Sequence, residues 1–223
     1  MAQKRVLMVV TSHAELGEGH KTGLWLSEFA EPYAIFKEKG YQITVASIKG
    51  GQAPIDPRSL TEENRAKWGD AIRELEATLP LREVSAEGFD ALFLPGGHGT
   101  MFDFPDDAVL QTRVREFAES DRVVAAVCHG PSGLVHVKLS SGEYLVKGKR
   151  VTAFTNDEER AVQLDRLMPF LLEDRLRENG AQFVAAPKWS DHVQVDGKLV
   201  TGQNPQSGES AARKVIELLE AGS

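Results

Sequence analysis

The sequence has a single cysteine, Cys128, among its 223 residues. One cysteine cannot form an intramolecular disulfide, so the disulfide framework of a small secreted domain is excluded and a cytoplasmic location is expected.

The chain also lacks an excess of positive charge, because it has 26 Lys and Arg residues and 33 Asp and Glu residues, which gives a net charge of −7. A general attraction to nucleic-acid phosphates or to acidic membrane surfaces is therefore not expected.

Long hydrophobic runs are also missing. No apolar run approaches the roughly 20 residues that cross a membrane. The short apolar stretch Val6–Val10 is followed by polar residues without a cleavage-like site, so it predicts a first strand rather than a secretory signal. With 41% hydrophobic and 26% charged residues the composition is that of a soluble globular protein, and residues 1–223 are expected to form one domain.

Strand-like apolar runs alternate with amphipathic helical patterns, which indicates an α/β fold with a mostly parallel sheet. The predicted strands are Val6–Val10, Gln42–Ser47, Ala91–Pro95, Val123–Val127, Val151–Phe154 and Gln182–Val184, with a small hairpin over Val193–Thr201 that turns on Asp196-Gly197. Predicted helices include one with Leu110, Val114 and Phe117 on its buried face, one from Met168 to Glu178 and one from Ser207 to Ala221. Residues 50–88 interrupt the alternation, and we expect a helical insertion packed over one edge of the sheet or over the site.

Cys128 stands where a buried strand meets a turn, in the run Val127-Cys128-His129-Gly130-Pro131. Gly130 permits a tight turn, and Pro131 suits the first turn of a helix. This is similar to the nucleophile elbow of hydrolases, with cysteine in place of serine. A helix beginning there would favour the thiolate. A lone cysteine is also typical of a buried core position, but such a residue does not need this glycine, histidine and proline around it.

Two further segments are expected at the same edge of the sheet. The turn Gly96-Gly97-His98 follows the third strand, and its N–H groups could form an oxyanion hole or simply a tight turn. Glu28 lies shortly after the first strand, and Pro32 places it in or just before the first turn of a helix. A carboxyl group partly desolvated beside the sulfur would have a raised pKa, whereas a solvated one would only complement the helix dipole.

His129 is the natural partner for the thiol, although adjacent side chains at a sharp turn can point apart. An acidic residue after the fifth strand, either Glu158 or Glu159, could orient its imidazole, and helix capping would also explain both. The other histidines show no spacing that indicates a shared metal, so neither a metal site nor a cofactor is predicted.

Together these residues resemble the DJ-1/PfpI (ThiJ) superfamily and, within it, the Hsp31-like branch of glyoxalase III enzymes, which is related in fold to the class I glutamine amidotransferases. The motifs that carry the resemblance occur in the family's order over nearly the whole chain: Gly23-Leu24-Trp25 with Glu28 and Pro32, Pro95-Gly96-Gly97-His98-Gly99, Ala126-Val127-Cys128-His129-Gly130-Pro131, Phe154-Thr155-Asn156 with Glu158-Glu159, and Leu199-Val200-Thr201-Gly202-Gln203-Asn204-Pro205.

The resemblance implies a flavodoxin-like three-layer α/β/α sandwich and a homodimer. It implies Cys128 as nucleophile, Glu28 as its protonated hydrogen-bond partner, His129 beside it, and Glu159 as the closer match for the orienting residue. The oxyanion and substrate site would comprise Gly97, His98 and Gly130. Larger bacterial members bind a metal near the site, but no counterpart ligands are found here, where Phe36 follows Glu28 by eight positions.

The implied activity is that of a lyase of the glyoxalase III (D-lactate dehydratase) type, which converts 2-oxoaldehydes such as methylglyoxal to 2-hydroxy acids without glutathione. Three alternatives use the same cysteine: a stress-related chaperone or redox sensor in which Cys128 is oxidised, a cysteine-dependent amidase or peptidase, and a deglycase. An amidotransferase proper would need a late His-x-Glu pair, which the sequence lacks.

Overall fold

The computed structural model describes residues 2–222 and has a seven-stranded sheet at its centre, in the order β10-β11-β7-β6-β1-β4-β5. All neighbouring strands in it are parallel except the β10–β11 pair. The strands of this sheet are β1 (Arg5–Val10), β4 (Gln42–Ser47), β5 (Leu79–Pro80), β6 (Ala91–Leu94), β7 (Val123–Val127), β10 (Val193–Asp196) and β11 (Leu199–Gly202). Two small sheets pair β2 (Glu15–Gly17) with β3 (His20–Lys21) and β8 (Arg150–Val151) with β9 (Gln182–Phe183).

Eight α-helices and several short 3₁₀ turns connect these strands in the described part of the chain. The α-helices are α1 (Leu26–Glu38), α2 (Glu62–Lys67), α3 (Gly69–Glu76), α4 (Thr100–Asp103), α5 (Ala108–Glu119), α6 (Asn156–Ala161), α7 (Leu172–Glu178) and α8 (Gly208–Ala221). None of these helices is both long and apolar enough to span a membrane.

The sheet separates two hydrophobic cores because successive side chains of a strand point to opposite faces. Along β1, Val6 and Met8 belong to the core that α1 and α8 cover, whereas Leu7 and Val9 belong to the core beneath α5 and α7. The predicted stripe of Leu110, Val114 and Phe117 on α5 is fully buried in the second core. The three-layer α/β/α sandwich expected from the sequence is therefore confirmed.

Several local predictions need correction. The strands predicted at Val151–Phe154 and Gln182–Val184 are shorter and pair only with each other, outside the main sheet. The predicted hairpin extends the main sheet, because β11 pairs with β7. Its turn is centred on Gly197 and Lys198, one residue later than predicted, since Asp196 pairs with Leu199.

The helix predicted from Met168 starts at Leu172, because residues 165–167 form a separate 3₁₀ turn. The last helix starts at Gly208, after a 3₁₀ turn over Pro205–Ser207.

The segment over residues 50–88 contains α2, α3 and β5. It has contacts both at one edge of the sheet and near the site, the two positions expected from the sequence. At one edge of the sheet β5 pairs with β4, and α3 packs against α1. Near its start, Asp56 and Arg58 approach the carboxyl ends of the strands. The order of strands reverses between β1 and β6, and open α/β sheets bind ligands in the crevice at such a point.

Candidate active site

Cys128 follows the last residue of β7 and has a left-handed backbone conformation, with φ of 60°. Its N–H donates to the carbonyl of Gly202 at 2.9 Å, and its carbonyl accepts from the N–H of Phe154 at 2.9 Å. A left-handed conformation costs a non-glycine residue about 1–2 kcal/mol. The two hydrogen bonds hold this strained bend between neighbouring strands, and the nucleophile elbow predicted from the sequence is present.

The segment after Cys128 differs from the prediction. It forms a single 3₁₀ turn over Gly130–Gly133 instead of an α-helix, so the expected helix dipole does not act on the sulfur. The thiol itself is only 3% exposed. Burial raises the pKa of Cys128 well above its usual value, and the neighbouring carboxyl group of Glu28 adds to the effect. The structure therefore favours the neutral thiol over the thiolate expected from the sequence, because desolvation penalises the charged form.

Glu28 lies in the first turn of α1, where Pro32 was expected to place it. Its Oε1 accepts a hydrogen bond of 2.8 Å from the N–H of Gly96. Its Oε2 is buried and has no hydrogen-bond partner among the described residues. Burial raises the pKa of Glu28 to about 8, although the Cys128 thiol and the Gly96 amide both lower it. At neutral pH Glu28 is protonated, and Cys128 is the neighbour that its O–H can reach.

His129 and His98 share one carboxylate. Glu159 accepts 2.6 Å hydrogen bonds from Nε2 of His129 on Oε2 and from Nε2 of His98 on Oε1. Burial alone would raise the pKa of Glu159, but the two histidines outweigh burial and hold that pKa well below its usual range. An ionised carboxylate only accepts hydrogen bonds, so both histidines carry a proton on Nε2.

In a neutral imidazole this tautomer leaves Nδ1 of His129 as an acceptor, 3.5 Å from Sγ of Cys128. The ring of His129 is therefore directed at the thiol on one side and held by Glu159 on the other. The Nδ1 of His98 is buried without a hydrogen-bond partner in the described chain. Burial lowers the pKa of His98 to about 4, with a further contribution from His129, so this second imidazole is neutral at neutral pH.

The two glutamates that the sequence could not distinguish have different contacts. Glu158 closes a capping box with Thr155 and accepts further hydrogen bonds from the N–H of Trp189 and the side chain of Asn204. It therefore joins three segments and does not contact His129. Glu159, one position later on α6, points to the two imidazoles. The geometry selects Glu159 as the orienting residue.

The predicted oxyanion turn lies beside the sulfur. Gly97 and His98 line the same cavity as Cys128, and neither backbone N–H has an acceptor among residues 2–222. Gly97 has φ of 113°, and a Cβ there would lie 2.2 Å from the carbonyl oxygen of Gly23. Gly130 does not line this cavity. A Cβ on Gly130 would lie 2.1 Å from the carbonyl oxygen of Leu94, so this glycine serves close packing behind the site instead of substrate binding.

A cavity of about 640 Å³ opens above Cys128. Three aromatic side chains, Trp25, Phe154 and Trp189, form part of its wall. The Phe154 ring lies 4.4 Å from that of His129 and 5.7 Å from that of Trp189. Arg58 and Trp189 also line this cavity and were not predicted from the sequence. Both come from irregular segments, and no spacing links them to Cys128, so only the folded chain could have identified them.

His98, His129 and Glu159 are also the residue types of a metal site, and their potential ligand atoms lie within 4.8 Å of one another. Each carboxylate oxygen of Glu159 already accepts a 2.6 Å hydrogen bond from one imidazole. A cation would have to displace both Nε2 protons and separate these pairs. The donor set therefore fits a hydrogen-bonded relay better than a metal centre.

The chain is similar to known proteins over nearly its whole length. Residues 20–218 match the DJ-1/PfpI family. The chain is 33% identical to the glutathione-independent glyoxalase HSP31 of Saccharomyces cerevisiae, over 99% of this chain and 100% of that protein.

Two solved structures are similar over nearly their whole length. The crystal structure of glyoxalase III from Candida albicans superposes with a TM-score of 0.89 at 29% identity, over 96% of this chain and 97% of that one. The Rapid Encystment Protein of 24 kDa from Francisella tularensis superposes with a TM-score of 0.92 at 38% identity, over 97% and 99% of the two chains.

Proposed function

This chain belongs to the DJ-1/PfpI family, and we propose that it is a glutathione-independent glyoxalase that converts 2-oxoaldehydes such as methylglyoxal into 2-hydroxy acids. The observation that supports this most directly is the surrounding of Cys128. The thiol has a base, His129, at 3.5 Å and interacts with the protonated carboxyl group of Glu28 at the floor of an aromatic cavity. Relatives over the full chain carry the same activity in their names.

The first step forms a hemithioacetal. Because the thiol is protonated at rest, His129 Nδ1 takes the thiol proton as Sγ attacks the aldehyde carbon. The aldehyde oxygen receives the negative charge, and the free N–H groups of Gly97 and His98 are placed to stabilise it. Return of the proton to this oxygen completes the adduct, with one C–S bond formed and the C=O double bond reduced to a single bond.

The second step moves hydrogen from the former aldehyde carbon to the neighbouring ketone carbon through an enediol. Glu28 or His129 carries this proton, and the product is a thioester of a 2-hydroxy acid on Cys128. Both groups interact with the sulfur, so either one lies near the carbon bonded to it. Water then cleaves the thioester, which releases the acid and restores the thiol. The sum is one aldehyde plus one water to one 2-hydroxy acid, with no net oxidation.

The test is turnover of methylglyoxal without glutathione, followed by lactate formation. Cys128→Ser is expected to lose at least 10³-fold in kcat/KM, because serine is a far weaker nucleophile. Glu28→Gln is expected to lose roughly 10²-fold, since it keeps the shape and a hydrogen-bond donor but cannot carry a proton. Unconsumed methylglyoxal with the parent protein, or equal consumption by Cys128→Ser, would refute the proposal.

The redox-sensor alternative has less support from the geometry. A thiolate that reacts with peroxide is usually accessible and has a lowered pKa, whereas Cys128 is buried and its pKa is raised. Selective sulfinate at Cys128 after mild peroxide, together with negligible turnover, would favour the sensor.

An amidase, peptidase or deglycase would use the same thiol. Substrate screens against peptides and glycated amines distinguish these activities from the glyoxalase.

We also propose a homodimer located in the cytoplasm, as the family resemblance implies. Sedimentation at several protein concentrations measures the assembly directly. A mass of one chain throughout would contradict the dimer.

A further inference from the structure

The cavity offers more than a three-carbon aldehyde needs. Its volume of about 640 Å³ lies in the range of roughly 300–1,000 Å³ found for sites that hold drug-sized ligands. Methylglyoxal attached to Cys128 would leave most of this space unfilled. The site therefore has room for a longer substrate whose far end reaches another part of the wall.

Arg58 is the one Lys or Arg side chain among the described residues that line this cavity. It comes from the segment before α2 and lies over the ring of Trp25, with 5.5 Å between its guanidinium carbon and the ring centroid. The charge of Arg58 lowers the pKa of His98, and the charge of Glu159 raises the pKa of Arg58. The guanidinium therefore lies near these two hydrogen-bonded side chains. Its side chain is 45% exposed.

Asp56 fixes the orientation of this guanidinium. The carboxylate of Asp56 is fully buried and accepts hydrogen bonds from Arg58 Nε at 3.1 Å and Nη2 at 2.8 Å. It also accepts from the backbone N–H of Arg58 and the hydroxyl of Thr22. All of these hydrogen bonds are accepted by the buried carboxylate. The remaining nitrogen, Nη1, donates to no acceptor among residues 2–222, so a pre-oriented pair of N–H groups is left over.

We propose that Arg58 binds an acidic group carried by the substrate, so that the site takes 2-oxoaldehydes with a carboxylate several bonds from the aldehyde. This deepens the proposed glyoxalase function and rests on it. A charge-assisted hydrogen bond from a held guanidinium is among the strongest that a protein can offer a carboxylate. Of the two acids in the wall, Glu28 is protonated at neutral pH, and burial raises the pKa of Glu31.

The first experiment compares two substrates of equal chain length. In 4,5-dioxopentanoate a carboxylate takes the place of the terminal methyl group of 2-oxopentanal. The expected result is a higher kcat/KM for the acid in the parent protein, and a loss of at least tenfold in the acid-to-neutral ratio in Arg58→Met, expressed mainly in KM. A ratio that changes less than twofold overturns the proposal.

Arg65→Met is the matched control. Arg65 lies on α2 in the same inserted segment, is exposed and does not line the cavity, so the variant makes the same change of net charge. Its acid-to-neutral ratio is expected to stay within twofold of the parent's. A tenfold loss here as well would mean that overall charge and not a specific contact sets the preference, and would overturn the assignment to Arg58.

Arg58→Met leaves the buried carboxylate of Asp56 without its partner, and an unpaired buried charge destabilises the fold. The double variant Asp56→Asn/Arg58→Met removes both charges and avoids this problem. It is expected to fold and to show the same loss in the ratio. A double variant that folds and retains the parent's ratio overturns the proposal.

A second experiment does not depend on turnover. Because Cys128 is the only cysteine, iodoacetamide labels it alone, and mass spectrometry follows the rate. The unreactive acid 4-oxopentanoate is expected to protect Cys128 at a concentration at least tenfold lower than its neutral counterpart 2-pentanone, and Arg58→Met is expected to abolish the difference. If no aldehyde is turned over but this difference is seen, the glyoxalase proposal fails and the role of Arg58 stands. Equal protection by both ligands in the parent overturns the role of Arg58 alone.

Discussion

At the scale of single residues, the site at rest holds a neutral thiol and not the thiolate of a cysteine–histidine ion pair. Cys128 and Glu28 are both protonated because each is desolvated, and Glu28 further raises the pKa of Cys128. The negative charge of the site lies instead on Glu159, where two imidazoles stabilise it. In the mechanism proposed above, the nucleophile is therefore generated when substrate arrives, by proton transfer from Cys128 to His129.

Glu159→Gln tests this distribution of protons. The two imidazoles bond different oxygens of Glu159, and in the amide one of these oxygens becomes an NH₂ donor that faces an Nε2–H group. One imidazole must then turn or change tautomer. If His129 changes, Nδ1 carries the proton and cannot accept the one from Cys128. We expect kcat for methylglyoxal to fall roughly 10²-fold or more, together with a loss of about 1–3 kcal/mol in the free energy of unfolding from the lost buried hydrogen bond.

The neighbouring Glu158→Gln is the comparison for that variant. Glu158 accepts four hydrogen bonds, two from Thr155 and one each from Trp189 and Asn204. Gln cannot accept all four, and a lost buried hydrogen bond costs about 1–3 kcal/mol. The expected effect is therefore lower stability with a smaller change in kcat. The opposite pattern, with Glu158→Gln inactive and Glu159→Gln active, would contradict the assigned roles.

At the scale of elements, the site is assembled from loops that follow three neighbouring parallel strands. The connection after β1 supplies Glu28 from the first turn of α1, the loop after β6 supplies Gly97 and His98, and the bend after β7 supplies Cys128. These loops approach one another so closely that backbone groups touch. The N–H of Trp25 donates to the carbonyl of Gly96, and the Glu28 carboxyl accepts from the N–H of Gly96.

Gly97→Ala is expected to disrupt this contact. The alanine Cβ would lie 2.2 Å from the carbonyl oxygen of Gly23 and 2.6 Å from the backbone nitrogen of Trp25, in a conformation with φ of 113°. Neither contact can be relieved by rotating a side chain, so the loops must separate. We expect a loss of more than 2 kcal/mol in the free energy of unfolding, measured by urea titration, and loss of activity.

Gly142→Ala separates the strain of the backbone conformation from the steric contact. Gly142 has φ of 89°, and a Cβ there meets nothing within 4 Å. Only the cost of the left-handed conformation should appear, about 1 kcal/mol, with full activity. Equal losses at the two glycines would show that close packing of the loops contributes nothing.

At the scale of the whole molecule, the buried Glu28 makes global stability depend on pH. In the folded protein its pKa is about 8, against a usual value of 4.5. Below pH 4.5 the group is protonated in both states. As the pH rises from 4.5 towards 8, the unfolded chain releases this proton while the folded protein keeps it, so the free energy of unfolding falls. The full effect is on the order of a few kcal/mol.

Glu28→Gln removes this contribution. The difference in the free energy of unfolding between variant and parent should therefore shift in favour of the variant between pH 5 and pH 8, measured by urea unfolding at unit steps of pH. Other shifted groups, such as Asp103 with its pKa raised by burial to about 6, are present in both proteins and cancel in the difference. A difference that stays constant over this range would show that Glu28 is ionised in the folded state.

Much of this protein is determined by the sequence alone. The alternation of apolar runs with amphipathic segments predicted a mostly parallel sheet covered by helices, because a strand buried on both faces and a helix with one apolar stripe can be recognised locally. Cys128 and Glu28 could be placed at the same edge of the sheet from their positions after parallel strands. These features depend on residues close together in the chain.

The tertiary structure decided what depends on residues far apart. Whether the thiol is ionised depends on how much water the surrounding segments exclude, and this reversed the expectation for Cys128. The choice of Glu159 over Glu158 depends on the rotation of α6 relative to His129 and His98. The place of Arg58 in the cavity wall depends on where the inserted segment lies. Desolvation, hydrogen-bond geometry and cavity shape are properties of the assembled chain, and no local pattern of residues encodes them.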